Sequence, residues 1–160
     1  ENELNRQLVN INDLIQGVID SFKLQLDAKP SAVHTQLDAK PSEIWIDEEY
    51  FLHVLSNLID NAIKYAKSEI DITIITKTLS NKLFITIEDK GIGMTPDTVK
   101  HIFEKFYRAH AGNIHNVKGF GLGMSYVKWV IDLHKGTIHV TSELNKGTKV
   151  EISLPMIEPK

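Results

Sequence analysis

Two glycine clusters constrain this chain more than any other feature. Asp89-Lys90-Gly91-Ile92-Gly93 follows the alternating run Leu83–Asp89, and Gly119-Phe120-Gly121-Leu122-Gly123 opens an apolar-periodic stretch. A strand should end at the first and a helix begin at the second, because glycine turns admit backbone conformations closed to other residues. The chemistry beside each differs. The first sets a lone carboxylate at a strand end. The second exposes uncapped backbone N–H groups at a helix start, where close approach and partial positive charge favour an anion. A base reader paired with a phosphate cradle points to a nucleotide.

Parity sharpens the Asp89 reading. Leu83, Ile85 and Ile87 share one face of the strand, and period 2 puts Asp89 on that face. A core-facing carboxylate needs donors, since an unpaired buried charge is expensive. The exocyclic amine of adenine is one such donor. An Asp before glycines can also end a strand by bonding its own backbone, so this segment alone is not decisive.

The segment from Asp47 to Ala66 carries more. Phe51, Val54, Leu55, Leu58, Ile59 and Ala62 recur at helical spacing and fall within an arc of roughly 140° at ~100° per residue. His53, Asn57, Asn61 and Lys64 occupy about 80° on the opposite side. Such a stripe is ordinarily a solvated face. A solvated face favours Glu, Lys and Arg, however, and Asn is a poor helix former. Two Asn four residues apart therefore suggest a use. An amide oxygen is a neutral hard ligand suited to a Mg²⁺ that also holds phosphate oxygens.

With these residues assembled, a resemblance is clear. Asn57-x3-Asn61-Ala62-x-Lys64-Tyr65 is similar to the N box of the ATP-binding domain of two-component sensor histidine kinases. Asp89-x-Gly91-x-Gly93-Met94 resembles its G1 box, and Phe103-x2-Phe106-Tyr107-Arg108 its F box. Gly119-x-Gly121-Leu122-Gly123-Met124 resembles G2, and Gly147-Thr148 the short G3 element. The motifs stand in the family's order from Asn57 to Thr148. The resemblance implies an α+β two-layer sandwich, helices on one face of a mixed, largely antiparallel sheet, as in gyrase-like, Hsp90-like and mismatch-repair ATPases.

It also implies roles. Nucleotide contacts would come from Asn57, Asn61, Lys64, Tyr65, Asp89, Gly91, Ile92, Gly93, Gly119, Gly121, Leu122, Gly123 and Thr148. Asn61 would hold Mg²⁺ with Asn57 in support, and Tyr65 would stack beside the base. Asn57, Lys64 and Arg108 would form the catalytic set. The segment Tyr107–Lys118, which lacks apolar periodicity and carries Arg108, His110, His115 and Lys118, reads as a basic lid able to close over a polyphosphate. Phe103 and Phe106 read as its packing anchors.

Two absences refine the expected chemistry. The gyrase-like, Hsp90-like and mismatch-repair ATPases carry a Glu base four residues before the N-box Asn, where this chain has Asn57. Nor is there a His-Glu-x-x-x-Pro phosphoacceptor segment. A donor of phosphoryl groups to a side chain fits better than a hydrolase. Two departures from the commonest pattern, Phe120 and Met124 in G2, leave the glycine geometry possible. The reading is thus a domain that binds Mg-ATP and donates the γ-phosphoryl group to a His on an upstream dimerisation hairpin. Relay to a response-regulator Asp would follow. Alternatives are an anti-sigma-type serine protein kinase, an ATP-responsive binding module, or a degenerate interaction domain that binds no nucleotide.

Composition narrows this further. The 160 residues suit one domain, with Glu1–Asn10 as linker or hairpin tail and residues 11–160 as the catalytic unit. A formal net charge of −3 argues against general nucleic-acid binding. The absence of cysteine excludes a disulfide framework and a thiol nucleophile, and is compatible with the cytoplasm. No run approaches the ~18 apolar residues that span a bilayer, so direct membrane contact by this segment is not expected, although an upstream inner-membrane anchor is open. Lacking an initial Met, the chain is expected to be part of something longer. Among the 7 histidines none pairs convincingly for a metal, and His53 is the best placed for a site role.

Along the chain, a helix is expected from a cap at Asn12 or Asp13 to about Leu26, then strands at Ala32–Leu37 and Glu43–Ile46. After the Asp47–Ala66 helix come hairpin strands at Ser68–Thr78 and Lys82–Glu88. Thr95 should cap a short helix with Pro96 at its first position, running near Phe103. Leu122–His134 is helical, stopped by Lys135-Gly136, and Thr137–Ser142 with Thr148–Leu154 closes the chain. Gln25-Leu-Asp-Ala-Lys-Pro-Ser31 recurs identically at Gln36–Ser42, without a functional reading.

Overall fold

The computed structural model describes residues 4–105 and 123–158. In chain order the elements are β1 (Gln7–Asn10), α1 (Ile11–Ser21), α2 (Lys23–Asp27), β2 (Ser31–Leu37), β3 (Glu43–Ile46), α3 (Glu48–Lys64), β4 (Ile70–Leu79), β5 (Lys82–Asp89), α4 (Pro96–His101), α5 (Gly123–Leu133), β6 (Thr137–Glu143) and β7 (Gly147–Pro155). Five strands form a sheet in the order β2-β4-β5-β7-β6, and β1 pairs with β3 in a separate ribbon. Among the described residues only β2 and β4 pair in parallel in the large sheet. A parallel pair needs a crossover, and here the chain between them supplies β3 and α3. This is the α+β sandwich expected.

Alternation and helical period together build the core. Ile70, Ile72 and Ile74 of β4, Leu83, Ile85 and Ile87 of β5, and Val150, Ile152 and Leu154 of β7 are all buried on one sheet face. Against them lie the apolar stripes of α1, α3 and α5, including Phe51, Leu55, Val127, Val130 and Ile131 at 0% exposure. All six apolar positions read on α3 are buried. Turn chemistry also agrees. Ser80 and Asn81 take left-handed φ of 50° and 61°, the geometry of a tight two-residue hairpin. Thr95 caps α4, accepting from the Thr98 N–H, and Pro96 stands in its first turn.

The N-terminal region departs from expectation. Gln7–Asn10, for which no regular element was expected, is a strand, and Val9 pairs with Ile44 and is buried. Four residues are too few to show a period against polar neighbours. Asn10, rather than Asn12 or Asp13, caps α1 through its side chain to the Asp13 N–H at 3.2 Å. Asn12 points inward instead, its carboxamide bridging the Ala39 carbonyl and the Thr76 hydroxyl. The expected helix to Leu26 breaks at Phe22 into α1 and α2. Elsewhere the boundaries move by a residue or two: α3 stops at Lys64, α4 at His101 and α5 at Leu133. The expected loop Tyr107–Lys118 lies outside the described residues.

One buried polar contact fixes how α3 and α5 meet. His134, at 2% exposure, receives the Asp47 N–H on Nε2 at 3.0 Å and places Nδ1 2.8 Å from the Val130 carbonyl. Those partners require the neutral ring with its proton on Nδ1. Its edge contacts Phe51 with centroids 4.7 Å apart. Burial lowers the His134 pKa, with the nearby Arg6 adding to the effect, while the Val130 carbonyl and Asp47 oppose it.

Candidate nucleotide site

The site is assembled by three backbone segments that grip one another. Tyr65, the C-cap of α3, offers its carbonyl to the Ile92 N–H at 2.9 Å, which fastens the turn after β5 to the helix end. Asn145, in the β6–β7 hairpin, donates its N–H to the Ile92 carbonyl at 2.7 Å. Lys67 reaches the Asn145 carbonyl from beyond α3. Two glycines make this closeness possible. A Cβ on Gly91 would lie 2.4 Å from the Tyr65 oxygen. Gly147, at a φ of 111°, would place one 1.9 Å from the Asp89 carbonyl oxygen, so no L side chain fits there without backbone movement. Gly93 sits against the Glu143 carbonyl in the same hairpin.

Asp89 is held between these segments. It ends β5 opposite Ile72 of β4 and Thr148 of β7. Its Oδ1 accepts the Gly91 N–H at 2.8 Å. It continues the face of Leu83, Ile85 and Ile87 as parity requires, but is half-buried where they are enclosed. Burial raises its pKa, and the Gly91 and Thr148 backbone N–H groups partly offset that. A carboxylate has four lone-pair sites, so two backbone donors leave it able to accept from an amine.

The polar stripe of α3 runs toward that aspartate. Asn57 and Asn61 are half-buried, and neither carboxamide is engaged by another described residue. Asn57 lines a cleft together with Glu49, Tyr50, His53, Tyr126 and Gly123. The first residue of α5, from the second glycine cluster, is thereby brought onto the Asn face of α3. A Cβ on Gly123 would meet nothing within 4 Å. The Lys64 ammonium lies 2.7 Å from the Asp60 carboxylate on the same helix. Thr148 turns its hydroxyl to Ser142 at 2.8 Å.

Of the expected site residues, Tyr65, Asp89, Gly91, Ile92, Gly93 and Thr148 come together where α3, β5 and the β6–β7 hairpin meet, Asn57 and Gly123 share the cleft, and Asn61 and Lys64 lie between along α3. Arg108, Gly119, Gly121 and Leu122 lie outside the described residues, as do Phe106, His110, His115 and Lys118. Phe103 packs partly buried against the core. Sequence reading missed Ser142, whose hydroxyl receives the Met94 N–H at 2.9 Å and donates to the Gly147 carbonyl. It also missed Glu49, Tyr50 and Tyr126 on the cleft wall. Only sheet register and helix packing reveal these, and no local motif marks them. Among the described residues no group of His, Cys, Asp or Glu could hold a metal ion. The free carboxamides of Asn57 and Asn61 fit a cation shared with phosphate oxygens better than a protein-only metal cage.

Comparison with known proteins identifies the family and the fold. The model of the family described as "Histidine kinase-, DNA gyrase B-, and HSP90-like ATPase" matches residues 46–158. Sensor protein RprX of Bacteroides fragilis (strain YCH46) is 45% identical over 152 residues, covering 94% of this chain and 29% of that protein. Sensor histidine kinase YvrG of Bacillus subtilis (strain 168) is 30% identical over 149 residues, covering 93% and 26%. The chain thus spans under a third of these relatives. Among solved structures, full-length ShkA in complex with AMPPNP superposes with a TM-score of 0.84 at 22% identity, covering 99% of this chain and 32% of that one. A nucleotide-free catalytic domain of histidine kinase ThkA gives 0.83 at 23%, covering 96% and 99%. At those identities the structures speak for the fold. The chain belongs to the family of histidine kinase-, DNA gyrase B- and HSP90-like ATPases.

Proposed function

We propose that this chain is the ATP-binding catalytic domain of a sensor histidine kinase, donating the γ-phosphoryl group of Mg-ATP to a histidine on a dimerisation hairpin of the same protein. The observation that carries the reading is the half-buried Asp89 carboxylate, held by the Gly91 N–H beside the end of the Asn57–Asn61 stripe. Adenine would donate its amine to Asp89, with the Tyr65 ring beside the base. The triphosphate would run along α3 toward Gly123. Mg²⁺, held by Asn61 with Asn57 in support, would neutralise phosphate charge. Arg108 and Lys64 would add cationic contacts, Lys64 after leaving Asp60. Gly119, Gly121 and Leu122 would supply the anion-binding turn.

Positioning and charge neutralisation carry most of such catalysis. The acceptor imidazole's nitrogen lone pair forms the N–P bond as the bond from Pγ to the β–γ bridging oxygen breaks. Its electron pair leaves on ADP, and the imidazolium product releases a proton to solvent. Asn57 stands where the hydrolytic relatives of the resemblance have a Glu, so water would lack a base. The partners are the hairpin, in a homodimer of the whole protein, and a response-regulator receiver domain, in the cytoplasm. Among the described residues no helix is long and apolar enough to cross a membrane.

The test is transfer in trans. The chain is mixed with its separately expressed upstream hairpin and labelled ATP. Acid-labile phosphate on the hairpin is the expected product, with Asn61→Ala weakening Mg-dependent ATP affinity and transfer. Acid-stable phosphoserine on another partner, with nothing on His, would assign the chain to the serine-kinase class.

A further inference from the structure

The proposed function leaves unassigned the other residues of the cleft that holds Asn57. His53 is exposed, lines that cleft with Gly123 and Tyr126, and stands one helical turn before Asn57. Its ring meets Tyr126 edge-on, with centroids 6.3 Å apart. Direction along α3 is fixed at its other end, where the Tyr65 carbonyl binds the Ile92 N–H of the base-reading turn. A nucleotide anchored at Asp89 therefore extends toward the helix N-terminus. At 1.5 Å per residue, Asn57 lies about 6 Å and His53 about 12 Å beyond Asn61 along that axis. Beyond His53 the cleft holds Tyr50, whose ring packs edge-on against Trp129, and then Glu49, whose charge has the wrong sign for phosphate. The last side-chain nitrogen on this stripe, before the sign changes, is in the His53 ring.

We propose that His53 reads the terminal phosphoryl group, donating a ring N–H to a γ-phosphoryl oxygen, with the Tyr126 ring fixing the imidazole's orientation. This rests on the ATP-binding reading above and assigns a specificity residue within it. A donor aimed at a phosphoryl oxygen in a walled cleft contributes where charge sits. It would let the site distinguish ATP from ADP before any acceptor arrives.

The experiment needs only this chain. ATP and ADP affinities are measured by calorimetry in Mg²⁺ for the parent, His53→Phe and His53→Gln. Phe keeps an aromatic edge on Tyr126 and removes the donor, whereas Gln keeps a donor. In His53→Phe, ATP affinity should fall about tenfold with ADP affinity unchanged, a loss within the range of one phosphate-facing hydrogen bond. His53→Gln should retain most of the ATP preference. An unaltered ATP-to-ADP ratio in His53→Phe would overturn the assignment, as would an equal loss for both nucleotides, which marks a packing role. A parent chain that binds neither nucleotide would instead overturn the functional reading itself.

Discussion

Asp47 and Asp89 both stand where a strand gives out, and each accepts a backbone N–H from the turn that follows. Asp47 closes β3 and caps α3, with Oδ1 on the Tyr50 N–H at 3.2 Å. Asp89 closes β5 and takes the Gly91 N–H at 2.8 Å. They differ in what the rest of the chain brings. At Asp47 the Asn5 N–H occupies the other oxygen at 3.0 Å, and the residue is 8% exposed. Its own backbone N–H is bound by His134. Asp89 stays half-buried, and among the described residues its donors are neighbouring backbone N–H groups. One carboxylate is complete within the fold. The other carries a desolvation cost with acceptor capacity remaining, which is what the proposed role in nucleotide binding would use. Local motif alone does not separate them.

The sharpest way to break the comparison is to replace each aspartate and read two quantities. Asp89→Asn keeps an oxygen for the Gly91 N–H but turns an NH₂ toward the base. It should weaken ATP binding by about 1–3 kcal/mol, the cost of a mismatched buried hydrogen bond, while leaving the melting temperature equal or higher. The second part follows from the raised pKa: the unfolded chain ionises first, so the parent loses stability as pH rises through the carboxylate range. Calorimetry and thermal unfolding at neutral pH check both halves. Asp47→Ala should do the reverse. Losing a helix cap costs about 1 kcal/mol of stability, with ATP affinity in the surviving folded protein unchanged.

A smaller effect separates the two ends by pH. The His134 pKa is lowered by burial, so the fold holds the neutral ring and the unfolded chain takes up the proton first. Stability from this contact is full above the ordinary histidine range and declines as pH falls through it. Thermal unfolding across that range should show the decline, and His134→Phe should flatten it, because Phe has no proton to gain.

Much of this was legible beforehand because it depends on period. The α3 stripe, the parity that carried Asp89 onto the core face, and the strands β3 and β5 follow from spacings of 3.6 and 2. Relations set by pairing were not legible. The duplicated Gln-Leu-Asp-Ala-Lys-Pro-Ser segment shows why. Gln25–Asp27 ends α2, with Leu26 buried, whereas Gln36 and Leu37 end β2 beside β4. Ala39 of the second copy is buried and donates its N–H to the Thr76 hydroxyl, while Ala28 only caps a helix. Identical residues take opposite structures because their partners differ. The same limit hid β1, which exists through its pairing with β3, and the union of Gly123 with Asn57 in one cleft.

The central claim is that Asp89 reads an exocyclic amine, and nucleotide discrimination tests it most directly. Calorimetry of the unmutated chain with ATP and with GTP, in Mg²⁺, compares an amine at the base's reading edge with a carbonyl there. A buried polar group rejects a ligand lacking its partner far more strongly than it rejects a change of shape. ATP should bind much more tightly than GTP, and the preference should collapse in Asp89→Asn. Equal affinity for the two nucleotides in the parent chain would contradict the account.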